Sequence, residues 1–388
     1  MYSLLLALIY LAFISLGLPD SLLGAGWPVM HGVFGVPVPY MGIVTMLISG
    51  CTILSSLASD KVTRKFGANV VTVFSVFLTA VALMGFSFAT SFWHLLVLAI
   101  PYGLGAGAID AALNNYVALH YTSKHMSWLH CFWGVGTIVS PFVMSYALGT
   151  SVWNNGYRIV SCIQLGIAVL LFLTLPVWKV NQPKNAVEAE TKSVGVVGAL
   201  KIKGVPFLLL GFFAYCAAEA TAMGWASTYF SEVKGIDGET AAAYASLFFI
   251  GLTFGRFAGG FLMDRIGDRR MILLGTAIAL GGVACLLIPS ANEKFAIAGF
   301  VIIGLGFAPI YPCIIHSTPN NFGAEHSGAI IGIQMASAYV GSTFMPPVYG
   351  LLGKWLGYGM MPIYILLFMA LMICMTEKTF RLTKNRNI

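Results

Sequence analysis

The sequence predicts an all-α membrane protein whose twelve transmembrane helices form two pseudo-symmetric six-helix bundles. Three observations predict it. The 388 residues are 58% hydrophobic and only 9% charged, with a mean hydropathy of +0.86. Soluble domains usually carry about 25% charged residues, and a chain this apolar has too little polar surface to cover a soluble fold of its length. Apolar stretches of about 20 residues, the length a helix needs to cross a bilayer, recur twelve times. Their centres fall near Gly17, Ile48, Phe77, Leu104, Thr137, Ala168, Ala217, Phe249, Ala279, Ile303, Tyr339 and Leu367. The longest polar interruption, "KVNQPKNAVEAETKSVGVVGALKIK" (Lys179–Lys203), has no apolar periodicity and separates the sixth stretch from the seventh. The expected organisation is therefore a bundle over 1–178, a cytoplasmic linker over 179–203, and a second bundle with a short tail over 204–388.

The charges set a topology. With both termini in the cytoplasm, 16 of the 21 Lys and Arg fall in inside loops or the tail, and four fall outside. That bias supports an even number of spans in a cell (inner or plasma) membrane. The net charge of +7 sits in short loops between apolar runs, so it reads as a topology signal and not as a nucleic-acid surface. All seven cysteines lie in apolar segments without paired spacing, which predicts free thiols, no disulfide and no metal site.

Span one is apolar from Met1, lacks a basic leading region, and runs past Pro19 and Asp20 without a clear cleavage site. It reads as a retained span and not as a signal peptide. Span four ends in "GLGAGAIDAALNNYVALHY". "GLGAGA" fits a dinucleotide-binding pattern superficially, but no strand precedes it. Small-xxx-small packing through Gly103 and Gly107 explains it better. The same segment places Asp110 and Asn114 four apart on one helix face, with Asn115 turned about 100° away. A carboxylate at the bilayer centre costs roughly 3 kcal/mol, so it asks for a reason. Of 14 acidic residues, only Asp20, Asp110 and Glu219 sit well inside spans, and no Lys or Arg is expected at their depth. An acid without a basic partner in lipid tends to take up a proton, which is what a proton-coupled carrier needs. Sodium binding is the competing use, and structural pairing the bland one.

Span five, "SWLHCFWGVGTIVSP", offers His130 as a proton relay and Trp133 as a ring on which a sugar stacks. Buried amides at Gln164 in span six and Gln334 in span eleven need partners. Span seven offers Tyr215, four before Glu219, and "AEATAMGWASTY" with Trp225 and Tyr229; Trp27 lies in span one. Pro309 and Pro312 are expected to kink span ten and free carbonyls there, near Tyr311 and His316. The halves echo each other: "GLG" at Gly103 recurs at Gly304, 201 residues on, and Asp60 before a basic turn is answered by Asp264, 204 residues on. Such offsets fit duplicated halves related by an axis along the membrane normal.

Twelve spans, a 6+6 repeat and "GRFAGGFLMDRIGDRR" (Gly255–Arg270) between spans eight and nine resemble the major facilitator superfamily and its loop signature. The first copy, "SSLASDKVTRKFGANV", is degenerate. The resemblance implies a cytoplasmic latch at Arg256, Asp264 and Arg265. Asp20 in span one with Asp-x-x-x-Asn in span four further resembles the fucose–galactose–glucose:proton symporters, although the span-four acid is Asp where that family is associated with Glu. That resemblance implies coupling at Asp20 and Asp110 and sugar contact at Asn114. The expected protein is a secondary transporter, not an enzyme, that moves a sugar or sugar-like small molecule with a proton, or with sodium, by alternating access. Asp20, Asp110, Glu219 and His130 would handle the cation. Trp27, Asn114, Asn115, Trp133, Gln164, Tyr215, Trp225, Tyr229 and Gln334 would contact substrate. It would need no cofactor or metal and would work as a monomer in the lipid bilayer. A drug/proton antiporter and a lipid or glycolipid flippase are the alternatives, and a non-transporting membrane sensor is a weaker one.

Overall fold

The computed structural model describes residues 2–150, 152–180, 194–289 and 292–384. Among them there are only helices and short connections. The helices of the first half are α1 (Tyr2–Gly17), α2 (Leu22–Val33), α3 (Met41–Phe66), α4 (Ala68–Phe86), α5 (Phe92–His120), α6 (Ser123–Thr150), α7 (Trp153–Leu173) and α8 (Leu175–Val180). Those of the second are α9 (Gly195–Leu200), α10 (Val205–Lys234), α11 (Gly238–Ile266), α12 (Asp268–Leu287), α13 (Glu293–Phe307), α14 (Ile310–Phe322), α15 (Ala324–Leu356) and α16 (Met361–Thr383). Eleven segments are long and apolar enough to cross a membrane. The twelfth crossing helix, α15, has the length, but Gln334, Ser337 and Ser342 dilute its apolar character. The expected twelve-helix all-α fold is therefore present.

Two crossings are broken. Span one divides at Leu18–Ser21 into α1 and α2, and span ten divides at Ala308–Pro309 into α13 and α14. In lipid, backbone groups freed at such breaks must find partners within the protein. Most of the predicted linker, residues 181–193, and the tail, 385–388, lie outside the described residues, together with the loop charges Lys184, Lys192 and Arg386. The chain on either side of that gap is helical, in α8 and α9. Six-residue helices are too short for apolar periodicity to register.

The chain forms two compact units. The first comprises Met1–Tyr116 and Phe132–Gly195; the second comprises Val117–Cys131 and Val196–Ile388. In the first, glycines let backbones touch. A Cβ on Gly103 or Gly107 would strike the carbonyls of Ile48 and Thr52 on α3, and one on Gly136 would strike the carbonyl of Ile14 on α1. The second unit repeats the arrangement. A Cβ on Gly304 would strike the carbonyl of Phe248 on α11, and one on Gly341 the carbonyl of Phe213 on α10. Lipid gives little hydrophobic drive for helix pairing, so such close approach supplies packing contacts in its place. The first unit also has an apolar core near the α2 end, where Leu22, Trp27 and Met30 meet Phe86, Leu95, Met144 and Tyr157.

The duplicated loop motif closes its two helices identically. Gly67 ends α3 at φ 84° and ψ 149°, and Gly267 ends α11 at φ 84° and ψ 153°. Only glycine adopts this region without strain. The first copy is degenerate in sequence and intact in backbone. At the opposite end of α11 the Asp237 carboxylate accepts from the Thr240 N–H at 3.0 Å, and this helix cap holds the carboxyl below the usual carboxylate range.

Candidate functional site

In the first unit the chemistry gathers at the helix break of span one. Asp20 sits there, near the middle of the Leu4–Val33 crossing, and is exposed. Its Oδ1 accepts from the Tyr102 hydroxyl at 3.1 Å, and its Oδ2 accepts from Trp133 Nε1 at 2.9 Å. The break comes from Pro19, which has no N–H to continue the ladder. The close Gly17–Trp133 and Gly136–Ile14 approaches bring α6 near enough for its indole to reach the carboxylate. Two donors suit the ionised acid. When Asp20 is protonated it can donate to the Tyr102 oxygen, whose own hydrogen must then turn elsewhere. The tryptophan only donates, so the two oxygens of Asp20 are not equivalent.

Asp110 and Asn114 share a face, as their spacing predicts, and both are buried. Asn114 Nδ2 donates to Asp110 Oδ1 at 2.8 Å and to the Asp110 carbonyl at 2.9 Å. The amide thus ties the carboxylate to its own helix, and both side chains are buried in the chain. Asn115 is half-buried. Gln164 is fully buried, and its amide donates to the Ser15 carbonyl.

Trp27, expected at the substrate, is buried in this conformation. It is 2% exposed, its indole N–H donates to the Val38 carbonyl at 2.7 Å, and its ring packs edge-on to Phe92. These contacts tie α2 to the Val38 turn and to α5.

In the second unit a carboxylate, a guanidinium and a phenol meet at mid-span. Arg256 Nη2 donates to Glu219 Oε1 at 3.0 Å, and the Tyr215 hydroxyl points to the same oxygen at 2.9 Å and to the Phe307 carbonyl at 2.9 Å. This corrects one expectation. Glu219 does have a basic partner at its depth, because α11 packs against α10 and carries Arg256 to it. Arg256 is accordingly a partner of Glu219. The Phe307 carbonyl lies beside the span-ten break, where Pro309 interrupts the helix as expected.

Around this pair, the His130 and Tyr311 rings meet edge to face at 4.6 Å. Gln334 Oε1 accepts from Thr318 Oγ1 at 3.0 Å, and both residues are buried. Tyr229 is buried and its hydroxyl donates to the Leu286 carbonyl at 3.3 Å. Trp225 is half-buried and stacks on Tyr358 at 5.6 Å.

The loop acids do something the motif alone did not reveal. Asp264 accepts from Thr122 Oγ1 at 2.9 Å and from the Lys124 N–H at 3.2 Å, at the N-terminus of α6, where unpaired N–H groups favour an anion. Asp268 accepts from Ser123 Oγ at 2.5 Å and bonds His316 Nδ1 at 2.7 Å, while His316 Nε2 reaches the Tyr121 carbonyl at 3.1 Å. These bonds explain why Val117–Cys131 clusters with the second unit. The ion pairs among the described residues do not include Arg265. Sequence reasoning missed Tyr102, Asp268 and Ser123. Tyr102 lies eight residues before Asp110, two helical turns along the same face, which was the available signal.

Charged groups held at mid-span beside broken helices, in a bundle with duplicated halves, define a multi-pass membrane transporter. The sequence model of the Major Facilitator Superfamily matches residues 9–346 and again 208–386, and the chain belongs to that superfamily. It is 24% identical to the probable nitrate/nitrite antiporter NarK1 of Thermus thermophilus, over 90% of this chain and 86% of that protein. It is also 24% identical to the glucose/mannose transporter GlcP of Bacillus subtilis strain 168, over 60% of this chain and 59% of that one. Among solved structures, the transporter FucP in the outward conformation superposes with a TM-score of 0.80 at 16% identity, covering 96% of this chain and 98% of FucP. The proton:xylose symporter XylE superposes with a TM-score of 0.75 at 14% identity, over 95% of each chain. These likenesses establish the fold. Proteins of this superfamily bind small-molecule substrates and sit in a lipid bilayer.

Proposed function

We propose that the protein is a cation-coupled symporter of a sugar or sugar-like small molecule, with the proton as coupling ion and Asp20 as the group that carries it. The single observation behind this reading is the exposed Asp20 at a mid-span helix break, held by Tyr102 and Trp133. A coupling acid must meet the aqueous path and must be stable both charged and neutral. Asp20 is exposed, and Tyr102 can either donate to it or accept from it. Asp110, with Asn114 beside it, is the second acid in this scheme, and alternating access requires the pair to open in another state of the cycle. Trp133 offers a ring to a pyranose. Both termini lie in the cytoplasm, by the loop charges, and one chain is the working unit. The printed activities of relatives support a sugar, as in the glucose/mannose transporter and FucP, the fucose:proton symporter of E. coli.

The buried Arg256 favours a second reading, transport of an anion, and the nitrate/nitrite antiporter is a relative of that kind. The test is uptake into proteoliposomes with an imposed pH gradient, with and without sodium, using labelled hexoses, a hexuronate and nitrate. Proton-dependent uptake of a hexose, lost in Asp110→Asn and Asp20→Asn, supports the proposal. Uptake of nitrate or the hexuronate alone moves the function to the anion reading.

A further inference from the structure

Beside Pro19 the first unit holds a pocket of about 10 Å³ whose lining includes Ser15, Thr79, Tyr102 and Gln164. That is about the space one water molecule needs. Ser15 Oγ and Gln164 Oε1 are buried and make no hydrogen bond within the protein. A buried hydroxyl and a buried amide oxygen without partners are each costly, and the cost is relieved by a group that both donates and accepts. The Gln164 amide nitrogen is committed to the Ser15 carbonyl, which fixes the amide's orientation. Ser15 therefore needs an acceptor and Gln164 needs a donor, side by side.

We infer that this cavity is a binding site for a single water molecule, and that this water is the partner Tyr102 turns to when Asp20 is protonated. The water accepts from Ser15 Oγ and donates to Gln164 Oε1. Its second hydrogen points to the Tyr102 oxygen while Tyr102 donates to ionised Asp20. When a proton arrives, Asp20 donates to the Tyr102 oxygen, the phenol hydrogen turns into the cavity, and the water accepts it on its second lone pair while still accepting from Ser15 Oγ and donating to Gln164 Oε1. No covalent bond changes except the one O–H formed on Asp20. Ser15 and Gln164 thus act as positioning residues that hold a partner for the phenol hydrogen when the acid is protonated. The inference rests on the coupling role proposed for Asp20, but its test does not use transport.

The first experiment is a structure of the wild-type protein in lipid nanodiscs, at a resolution that shows ordered water elsewhere between the helices. A density peak within hydrogen-bond distance of Ser15 Oγ and Gln164 Oε1 is expected. Its absence overturns the inference. The second is infrared difference spectroscopy of protonated Asp20, its carbonyl band assigned by loss in Asp20→Asn. In Ser15→Ala, which keeps the Gln164 bond to the Ser15 backbone, the protonated fraction at fixed pH is expected to fall severalfold to about tenfold, the worth of one hydrogen bond. The band should also move toward the frequency of a carboxyl lacking a hydrogen bond. Gln164→Met is expected to do the same. An unchanged band and fraction in both variants, each folded by its thermal transition, overturns the relay. If Asp20→Asn still couples transport while the peak and the band shifts are found, the coupling role falls and the water site stands.

Discussion

Glu219 and Arg256 form a buried pair whose members are not equivalent, and this gives a prediction with a sign. The contact is 3.0 Å, with side chains 16% and 5% exposed. At an effective dielectric of about 20, two charges at that distance attract by roughly 5 kcal/mol before desolvation is counted. Removing one partner of such a pair costs about 3–5 kcal/mol, mostly from the charge left behind. Glu219→Gln leaves a guanidinium that cannot lose its proton, while the amide oxygen still accepts from Tyr215. Its cost is therefore about 3–5 kcal/mol and does not vary between pH 5 and 7. Arg256→Met leaves a carboxylate that can take a proton. At pH 7, protonating a carboxyl of ordinary pKa costs about 3.7 kcal/mol, and at pH 5 about 1 kcal/mol. The defect of Arg256→Met therefore shrinks as pH falls, since the native state of that variant binds a proton that the unfolded state has released. The double variant should recover most of the loss. The assay is thermal unfolding in detergent, followed by a thiol-reactive fluorophore that reports on the buried Cys51, Cys216 and Cys313. Glu219→Gln should lower Tm by on the order of 10 °C at both pH values. A Glu219→Gln protein within about 2 °C of wild type, or an Arg256→Met defect that is the same at pH 5 and 7, would refute the reasoning.

Three further outcomes follow from the geometry. Gly107→Val drives a side chain into the Thr52 carbonyl and should abolish monodisperse protein on size exclusion, whereas Gly166→Ala, with nothing within 4 Å, should behave as wild type. Gly267→Ala meets no neighbour but inherits φ 84°, so it should cost about 1–3 kcal/mol through the backbone alone, read as a lowered Tm. Asp264→Ala removes the acceptor for the Lys124 N–H and Thr122 hydroxyl, worth about 1 kcal/mol at a helix N-terminus, and should speed hydrogen exchange at Lys124 about fivefold.

The crossings were legible because a bilayer imposes one length on apolar runs, and that signal does not depend on tertiary context. Even α15 declared itself by position, although its polar face dilutes the average. The break at Pro309 was readable because proline acts locally. Partners were less readable. Asp110 and Asn114 lie on one helix, so spacing placed them together. Glu219 and Arg256 lie 37 residues apart on neighbouring helices, and nothing in either segment states their relative depth. Trp133 reaches Asp20 because glycines at 17 and 136 bring α1 and α6 together, a contact the sequence marks as small residues without naming the partner helix, and Tyr102 reaches it from a third helix, α5. Trp27 shows the ambiguity of a ring. An aromatic ring in a span suits a sugar or a core equally, and its N–H found the Val38 carbonyl.

The central claim is that Asp20 carries the coupling proton. The direct measurement is uphill accumulation of the transported solute in proteoliposomes under a pH gradient of about one unit, set beside counterflow without a gradient, for wild type and Asp20→Asn. Such a gradient is worth about 1.4 kcal/mol, enough to concentrate a neutral solute about tenfold at one proton per solute. The account predicts that Asp20→Asn exchanges solute in counterflow but accumulates none above the outside level. Accumulation by Asp20→Asn to the wild-type level would contradict it.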